Sequence, residues 1–223
     1  FQKCCVVPSI SSKLPCAKAN FMRCELEGLF GDCERVTKTD DLIREGYLSK
    51  FRIKVLLCKH APQYFESYHD EMEYLVEHKG RNNLIKNLVK DLDGNTLVLF
   101  NYIEKHGEPL YELINSNIDP ERKLFFVHGG TDVEDREEVR QITEKENNAV
   151  ILASYGTFST GINIKRLHNI IFASPSKSRI RNLQSIGRVL RKGEGKDIAT
   201  LYDIASVIST LARSSKTTLR RSR

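Results

Sequence analysis

From residue 96 onward the sequence alternates short apolar runs with amphipathic segments, and that alternation leaves few ways to fold. Apolar runs occupy residues 96–100, 123–127, 149–153, 169–173 and 198–202, and helical patterns occupy 104–115, 133–146 and 179–190. Near-continuous apolar runs of about five residues mark strands covered on both faces. Strands that alternate with amphipathic helices imply right-handed βαβ units and a parallel sheet. The predicted class is therefore α/β, a parallel sheet flanked by helices. Upstream, residues 53–58 read as a further buried strand, and 68–89 as two helices broken near Lys79-Gly80. The first fifty residues mix Pro8, Pro15, Gly28 and Gly31 with short apolar pieces and read poorly as a domain of their own. Beyond Ser206 the pattern stops, and the Ser/Thr/Arg-rich end predicts a disordered basic tail.

Open parallel sheets bind ligands beyond the carboxyl ends of their strands. That rule gathers Asn101-Tyr102, His128-Gly129-Gly130, residues 154–163 and residues 174–178 on one edge.

The segment Gln184-Ser-Ile-Gly-Arg188-Val-Leu-Arg191 carries the sharpest chemistry. Helical positions three and four apart share a face, so Gln184, Arg188 and Arg191 form one polar stripe. Leu183, Ile186 and Leu190 form an apolar stripe expected to face the sheet. Gly187 costs about 1 kcal/mol of helix propensity relative to Ala, which suggests a close approach to its backbone. Two arginines on one face bring fixed positive charge to a triphosphate as its charge shifts in the transition state, an effect of roughly 10³ to 10⁵ in well-studied GTPases. An exposed basic helix with an incidental Gly is the plain alternative.

Residues 153–163, Ala-Ser-Tyr-Gly-Thr-Phe-Ser-Thr-Gly-Ile-Asn, read as a strand entering a loop of small hydroxyl residues and glycines. Backbone N–H groups and Ser/Thr hydroxyls suit phosphate oxygens. Asn163 suits a ribose hydroxyl or a neighbouring motor residue. A tight solvent loop fits equally well. In Phe126-Val-His128-Gly-Gly the glycines precede an acidic helix, which argues against anion binding and for a structural turn, with Thr131 or Asp132 as the helix cap and His128 near nucleic acid. Asn101 and Tyr102 stand where a strand gives way to a helix, placed to touch a sugar-phosphate backbone.

The net charge is +6 over 223 residues. Its distribution matters more: between residues 164 and 196 nine basic residues face a single acid, Glu194. Such a run fits a polyanion surface, with a solvated face as the plain reading. All six cysteines fall within the first 58 residues, with no C-x-x-C pair and no His among the first five. They read as unlinked thiols in a reducing compartment, not as a zinc site. No stretch approaches the roughly 20 apolar residues of a membrane span.

The order of segments resembles motifs IV, IVa, V and VI of superfamily 2 helicases: Leu97-Val-Leu-Phe-Asn, Val127-His-Gly, residues 154–163, then Gln184 to Arg191. Ser159-Thr-Gly-Ile-Asn163, Leu167-His-Asn-Ile-Ile171 and Ser176-Lys-Ser178 make it most similar to phage UvsW-type helicases and their restriction-helicase relatives. The resemblance covers residues 17–205. It implies a RecA-like second motor domain of P-loop NTPase type over residues 50–205, with 1–49 the end of a first motor domain and linker. It implies that Arg188 and Arg191 reach the γ-phosphate and that Gln184 opens their motif. Gly161 and Asn163 take the nucleotide-contacting positions, although many related helicases carry Asp where Asn163 stands. Asn101, Tyr102, His128, Thr157, Ser159 and Thr160 take positions near the nucleic acid. The implied cofactors are ATP and Mg²⁺ in a complete protein, with neither expected to bind this chain tightly. The implied partners are DNA, with RNA as the alternative, and a missing first motor domain. The implied location is the cytoplasm, of a host cell if phage-encoded.

Two absences limit the expectation. No G-x-x-x-x-G-K-[ST] occurs, since Gly193-Glu-Gly-Lys196 is followed by Asp197. His69-Asp-Glu-Met72 follows no apolar strand and so is no DExH box. The chain does not begin with Met, which fits a fragment. The expectation is a helicase half that is inactive alone, against a self-standing nucleic-acid-binding module or an unrelated α/β nucleotide enzyme.

Overall fold

A computed structural model of the chain describes residues 39–160, 164–176, 179–193 and 195–208, without the side chains of residues 159, 160, 179–181 and 208. Two units separate, Phe1–Tyr47 and Leu48–Arg223. In the first, helix α1 (Thr39–Arg44) has Asp40 and Asp41 in its first turn and Arg44 in its last, the order its dipole favours. It ends on Gly46 at φ 79°, with the Gly46 amide on the Ile43 carbonyl and the Tyr47 amide on the Leu42 carbonyl. That is a Schellman stop, for which glycine supplies the left-handed residue.

The second unit is built on six strands: β1 (Lys50–His60), β2 (Thr96–Phe100), β3 (Leu124–Val127), β4 (Val150–Ser154), β5 (Asn169–Phe172) and β6 (Ile198–Ile208). They lie in the order β1-β6-β5-β2-β4-β3, and each neighbouring pair is parallel. The helices are α2 (Tyr68–Glu77), α3 (Lys79–Asp91), α4 (Glu108–Asn115), α5 (Val133–Lys145), α6 (Tyr155–Thr160) and α7 (Arg179–Val189). The expected α/β class is what forms.

Strand side chains alternate between faces, so β2 feeds two cores. Leu97 and Leu99 join Phe158 of α6 and Val189 of α7, while Val98 and Phe100 join Ile85 and Val89 of α3 and Leu110 and Ile114 of α4. Every residue of β2, β4 and β5 is buried. At roughly 1.5–3 kcal/mol per fully buried large apolar side chain, these central strands carry most of the stability.

Five expectations are corrected. Strands β1 and β6 each run eleven residues, beyond the expected 53–58 and 198–202. They pair along their whole length, from Lys50–Ile198 to His60–Ile208. The β1 side chains were less informative because it is a sheet edge that exposes Ile53, Val55 and Leu57. The helix expected at 104–115 opens as a π-helical turn (Ile103–Gly107) before α4. A Cβ on Gly107 would lie 2.6 Å from the Phe100 ring, so glycine lets that turn sit on the strand end. Residues 155–160, expected as loop, are helix α6, in which Tyr155 and Phe158 are buried. On α7, Leu183 is 45% exposed, and the buried face is Ser185, Val189 and the half-buried Ile186, continued by Leu190. Finally, neither Thr131 nor Asp132 caps α5 through its side chain. Asp132 holds the cap position without such a bond, and the Thr131 hydroxyl accepts instead from the His128 amide.

His69-Asp-Glu-Met72 falls within α2, where Asp70 completes a capping box with Ser67. It is a helix start, within the 68–89 stretch expected as helix, and residues 61–67 separate that helix from β1.

Candidate functional site

The carboxyl ends of β2, β3 and β4 open onto a shallow cleft of ≈ 410 Å³. Asn101, Gly129, Arg136, Ser154, Gly156 and Thr157 line it. Of the residues singled out in the sequence, Asn101 and Thr157 therefore meet there, and His128 stands one residue from the rim. Tyr102 is half-buried and is not among the cleft's lining residues. Gly161, Asn163 and the side chains of Ser159 and Thr160 lie outside the described residues.

Local bonds shape each wall. The Ser154 hydroxyl accepts from the Thr157 amide at 3.3 Å and pairs with the Thr157 hydroxyl at 2.8 Å. Ser154 thus caps α6 and satisfies one of the amides that a helix start leaves open. The Asn101 amide donates to the Ser174 hydroxyl at 3.1 Å, and its side-chain amide donates to the Pro175 carbonyl at 3.3 Å. Asn101 thereby ties the end of β2 to the segment that leads into α7. In the His128-Gly-Gly turn, the ring Nδ1 accepts from the Gly130 amide at 3.1 Å.

Arg136 is a cleft residue that sequence reasoning missed. Its Nε donates to the Thr131 carbonyl at 2.9 Å and one Nη to the Gly129 carbonyl at 3.2 Å. A guanidinium has five N–H donors, so these two bonds fix its plane and leave others for a ligand. The available signal was a lone basic residue among Glu134, Asp135, Glu137 and Glu138, in the turn after two glycines.

The arginine face is separate from the cleft. Gln184 is exposed and Arg188 half-buried on α7. Arg191 is exposed beyond the helix end at Val189, in an antiparallel bridge with Leu48, so the single helical stripe expected of the three stops before Arg191. The Arg188 guanidinium carbon sits 5.5 Å from the Phe158 ring centroid. A cation over an aromatic face contributes about 1 kcal/mol or less where partly exposed. Burial, and then the charge of Arg191, hold the Arg188 guanidinium below its ordinary range. The two arginines therefore feel each other's charge. A Cβ on Gly187 would meet nothing within 4 Å among the described residues, so the expected close approach does not come from this unit.

Helix α6 joins the two regions. Gly156 and Thr157 line the cleft, while Phe158 carries Arg188. Behind them lies a buried polar network that the sequence did not disclose. Arg81 of α3, 1% exposed, donates to the Ala173 carbonyl and, at 3.4 Å, to the Ile204 carbonyl. His106 bonds Ser174 Oγ through Nδ1 at 2.8 Å and Asn82 Oδ1 through Nε2 at 3.2 Å. Burial, and then Arg81, push the His106 imidazole down to about 3, so it is neutral at physiological pH. The network fixes Ser174, which in turn holds Asn101.

Among the described residues, no three His, Cys, Asp or Glu side chains are placed to hold a metal ion. None of the described helices is long and apolar enough to cross a membrane.

Comparison with known proteins identifies the fold and the family. The helicase conserved C-terminal domain matches residues 80–193, which is 193 − 80 + 1 = 114 of the 223 residues. The ATP-dependent DNA helicase uvsW of Enterobacteria phage T4 is 32% identical over 216 residues, covering 93% of this chain and 42% of that protein. The crystal structure of T4 UvsW superposes with a TM-score of 0.60 over 76% of this chain and 35% of that one, at 32% identity. The yeast DEAD-box splicing factor Prp28 shares the fold at a TM-score of 0.52 and 17% identity, over 83% of this chain and 39% of its own. The chain thus spans about two-fifths of the length of the curated relative it matches. With its parallel sheet, its matching motifs and the match over half its length, the chain belongs to the helicase conserved C-terminal domain family, as a RecA-like second domain of the superfamily 2 type.

Proposed function

We propose that this chain is the arginine-bearing half of an ATP-dependent DNA motor, with residues 50–205 its second motor domain and residues 1–49 the end of the first. The observation that carries the reading is helix α6, which touches the cleft through Thr157 and the arginine face through Phe158. A shift of α6 changes both at once, which is what coupling nucleotide to nucleic acid requires.

The arginine face fits a triphosphate approached from one side. Two mutually repelling guanidiniums are relieved by an anion set between them. When bound, ATP supplies the phosphoanhydride bond whose cleavage drives the motor, and Mg²⁺ screens its charge. Within this chain Arg188 and Arg191 present positive charge, Gln184 stands one helical turn before Arg188, and Gly161 and Asn163 stand at the matching positions of motif V. The phosphate-gripping Lys and the metal-binding carboxylates of such motors have no counterpart in this sequence. The chain alone therefore hydrolyses no ATP.

The cleft is the nucleic-acid track. Arg136, Asn101, His128 and the start of α6 with Thr157 face the backbone phosphates, and Ser159 and Thr160 stand at the matching nucleic-acid positions of motif V. DNA is the preferred polymer because the 32%-identical relative is named a DNA helicase. If the chain is phage-encoded, its place is the host cytoplasm. A second reading, a non-catalytic nucleic-acid-binding module, draws on the fact that this cleft forms wholly within one unit.

Binding of a fluorescent single-stranded DNA, titrated across salt concentrations, tests the track. The expected result is weak, salt-sensitive binding. Arg136→Ala weakens it by about tenfold and lowers the salt slope by about one. No binding at low salt, or an Arg136→Ala slope equal to that of the unaltered chain, contradicts the assignment.

A further inference from the structure

Lys196 is the one lysine in the turn that superficially resembled a phosphate loop. It is 2% exposed. Its ammonium reaches three main-chain carbonyls: Lys165 at 3.3 Å, Arg191 at 3.0 Å, and Val189. An ammonium has three N–H donors, so all three are used. Val189 ends α7 and Arg191 follows two residues later. Their carbonyls are among those a helix C-terminus leaves unsatisfied, and a cation there also opposes the helix dipole. Lys165 belongs to the segment that leaves motif V.

The turn is shaped for this inward lysine. The Lys196 amide closes it on the Gly193 carbonyl at 3.2 Å, and Gly195 has φ 71°. A Cβ on Gly193 would lie 3.0 Å from the Lys165 carbonyl oxygen, so a side chain there would push the turn off the segment that leads into β5. From the other side, the Ser49 amide holds the Leu190 carbonyl at 2.9 Å, and Leu48 forms an antiparallel bridge with Arg191.

We propose that Lys196 is a positioning residue that clamps the main chain of motif V, at Lys165, to the main chain of motif VI, at Val189 and Arg191, and so sets where Arg191 stands. The consequence for catalysis rests on the reading of Arg191 as an arginine finger. A buried ammonium that has only carbonyl partners is a costly way to fill space. An apolar side chain would fill it more cheaply, and what the ammonium adds is a fixed geometry between two motifs. Burial holds its pKa down to about 8. The titratable and charged groups near it are His168, held below the usual imidazole range by burial and then by the charges of Lys196 and Arg166, together with Lys165 and Arg191, whose main chains it bonds.

The test begins with amide hydrogen exchange on the 223-residue chain. Lys196→Met is expected to speed exchange by about tenfold or more at residues 165–168 and 189–193 together, with the central strands unchanged. Unchanged exchange, or a change at one segment only, overturns the clamp. If Lys196→Met fails to fold, the unaltered chain still decides. With ¹³C-labelled lysine it shows a resonance titrating near pH 8, and its absence overturns the buried ammonium. The catalytic consequence is read in a fusion to a helicase first motor domain. Lys196→Met is expected to lower kcat by about 10²-fold with little change in KM for ATP. If Arg191→Ala lowers kcat and Lys196→Met does not, the positioning role is wrong. If neither does, the arginine-finger reading is wrong.

Discussion

Asn95→Ala is expected to lower the stability of the chain by about 3 kcal/mol. Asn95 is fully buried at the foot of the sheet. The two N–H groups of its side-chain amide serve three carbonyls, Thr143, Glu146 and Arg166 at 2.9, 2.8 and 2.9 Å, one N–H being shared, and its Oδ1 accepts from the Ala149 amide at 2.8 Å. One side chain thus joins the end of α5, the start of β4 and the approach to β5. Alanine leaves the buried Ala149 amide and Thr143 carbonyl without that partner, each at a cost of about 1–3 kcal/mol, while the part-buried Glu146 and Arg166 carbonyls are open to water. Asn95→Asp is expected to cost at least as much, because it turns a donor facing three carbonyls into a buried acceptor. Urea denaturation checks both, as a lower midpoint at unchanged slope. A loss under about 1 kcal/mol would show that water replaces the missing bonds.

Arg188→Ala is expected to leave the fold intact and to remove about 10³-fold of nucleic-acid-stimulated ATP hydrolysis once a first motor domain is supplied. The fold survives because Arg188 is half-buried and the ring beneath it, Phe158, is already fully buried in the core. The rate falls because its charge acts on the transition state more than on bound ATP, so kcat drops more than KM rises. Arg188→Lys is expected to recover little, since a point charge on a flexible stem does not reproduce a planar fork. A purified Arg188→Ala fusion with undiminished kcat would remove this residue from the site.

The parts of this domain that the sequence disclosed are those where local pattern and tertiary role coincide. Strand β2 is legible at its observed bounds because all five of its residues are buried and the run after Thr96 is wholly apolar. The break between α2 and α3 was read at Lys79-Gly80, and it falls at His78, whose ring accepts from the Arg81 amide and starts the second helix. Strand β1 was read short because an edge strand alternates, and its Lys and Arg residues look like loop. Helix α6 was hidden by Gly156, Thr157, Ser159 and Thr160, poor helix formers that Tyr155, Phe158 and the Ser154 cap outweigh. In the site, the pairing of Gln184 with Arg188 is legible because helical spacing sets it, whereas Arg191 falls past the helix end at Val189. Arg81, His106, Arg136 and Lys196 were not legible. Each is a polar side chain whose partners are carbonyls or side chains brought near by the fold, and a carbonyl leaves no mark in a sequence. Lys196 in particular was counted with a basic surface run, whereas it is buried.

The central claim is that Arg188 and Arg191 serve a nucleotide held elsewhere. Steady-state ATP hydrolysis, with and without single-stranded DNA, tests it most directly. It is measured for the 223-residue chain alone and for the same chain fused behind a phosphate-loop domain of a superfamily 2 helicase. The account predicts no hydrolysis by the chain alone, and DNA-stimulated hydrolysis by the fusion that Arg188→Ala abolishes. DNA-stimulated hydrolysis by the chain alone, or by a fusion indifferent to Arg188→Ala, would contradict it.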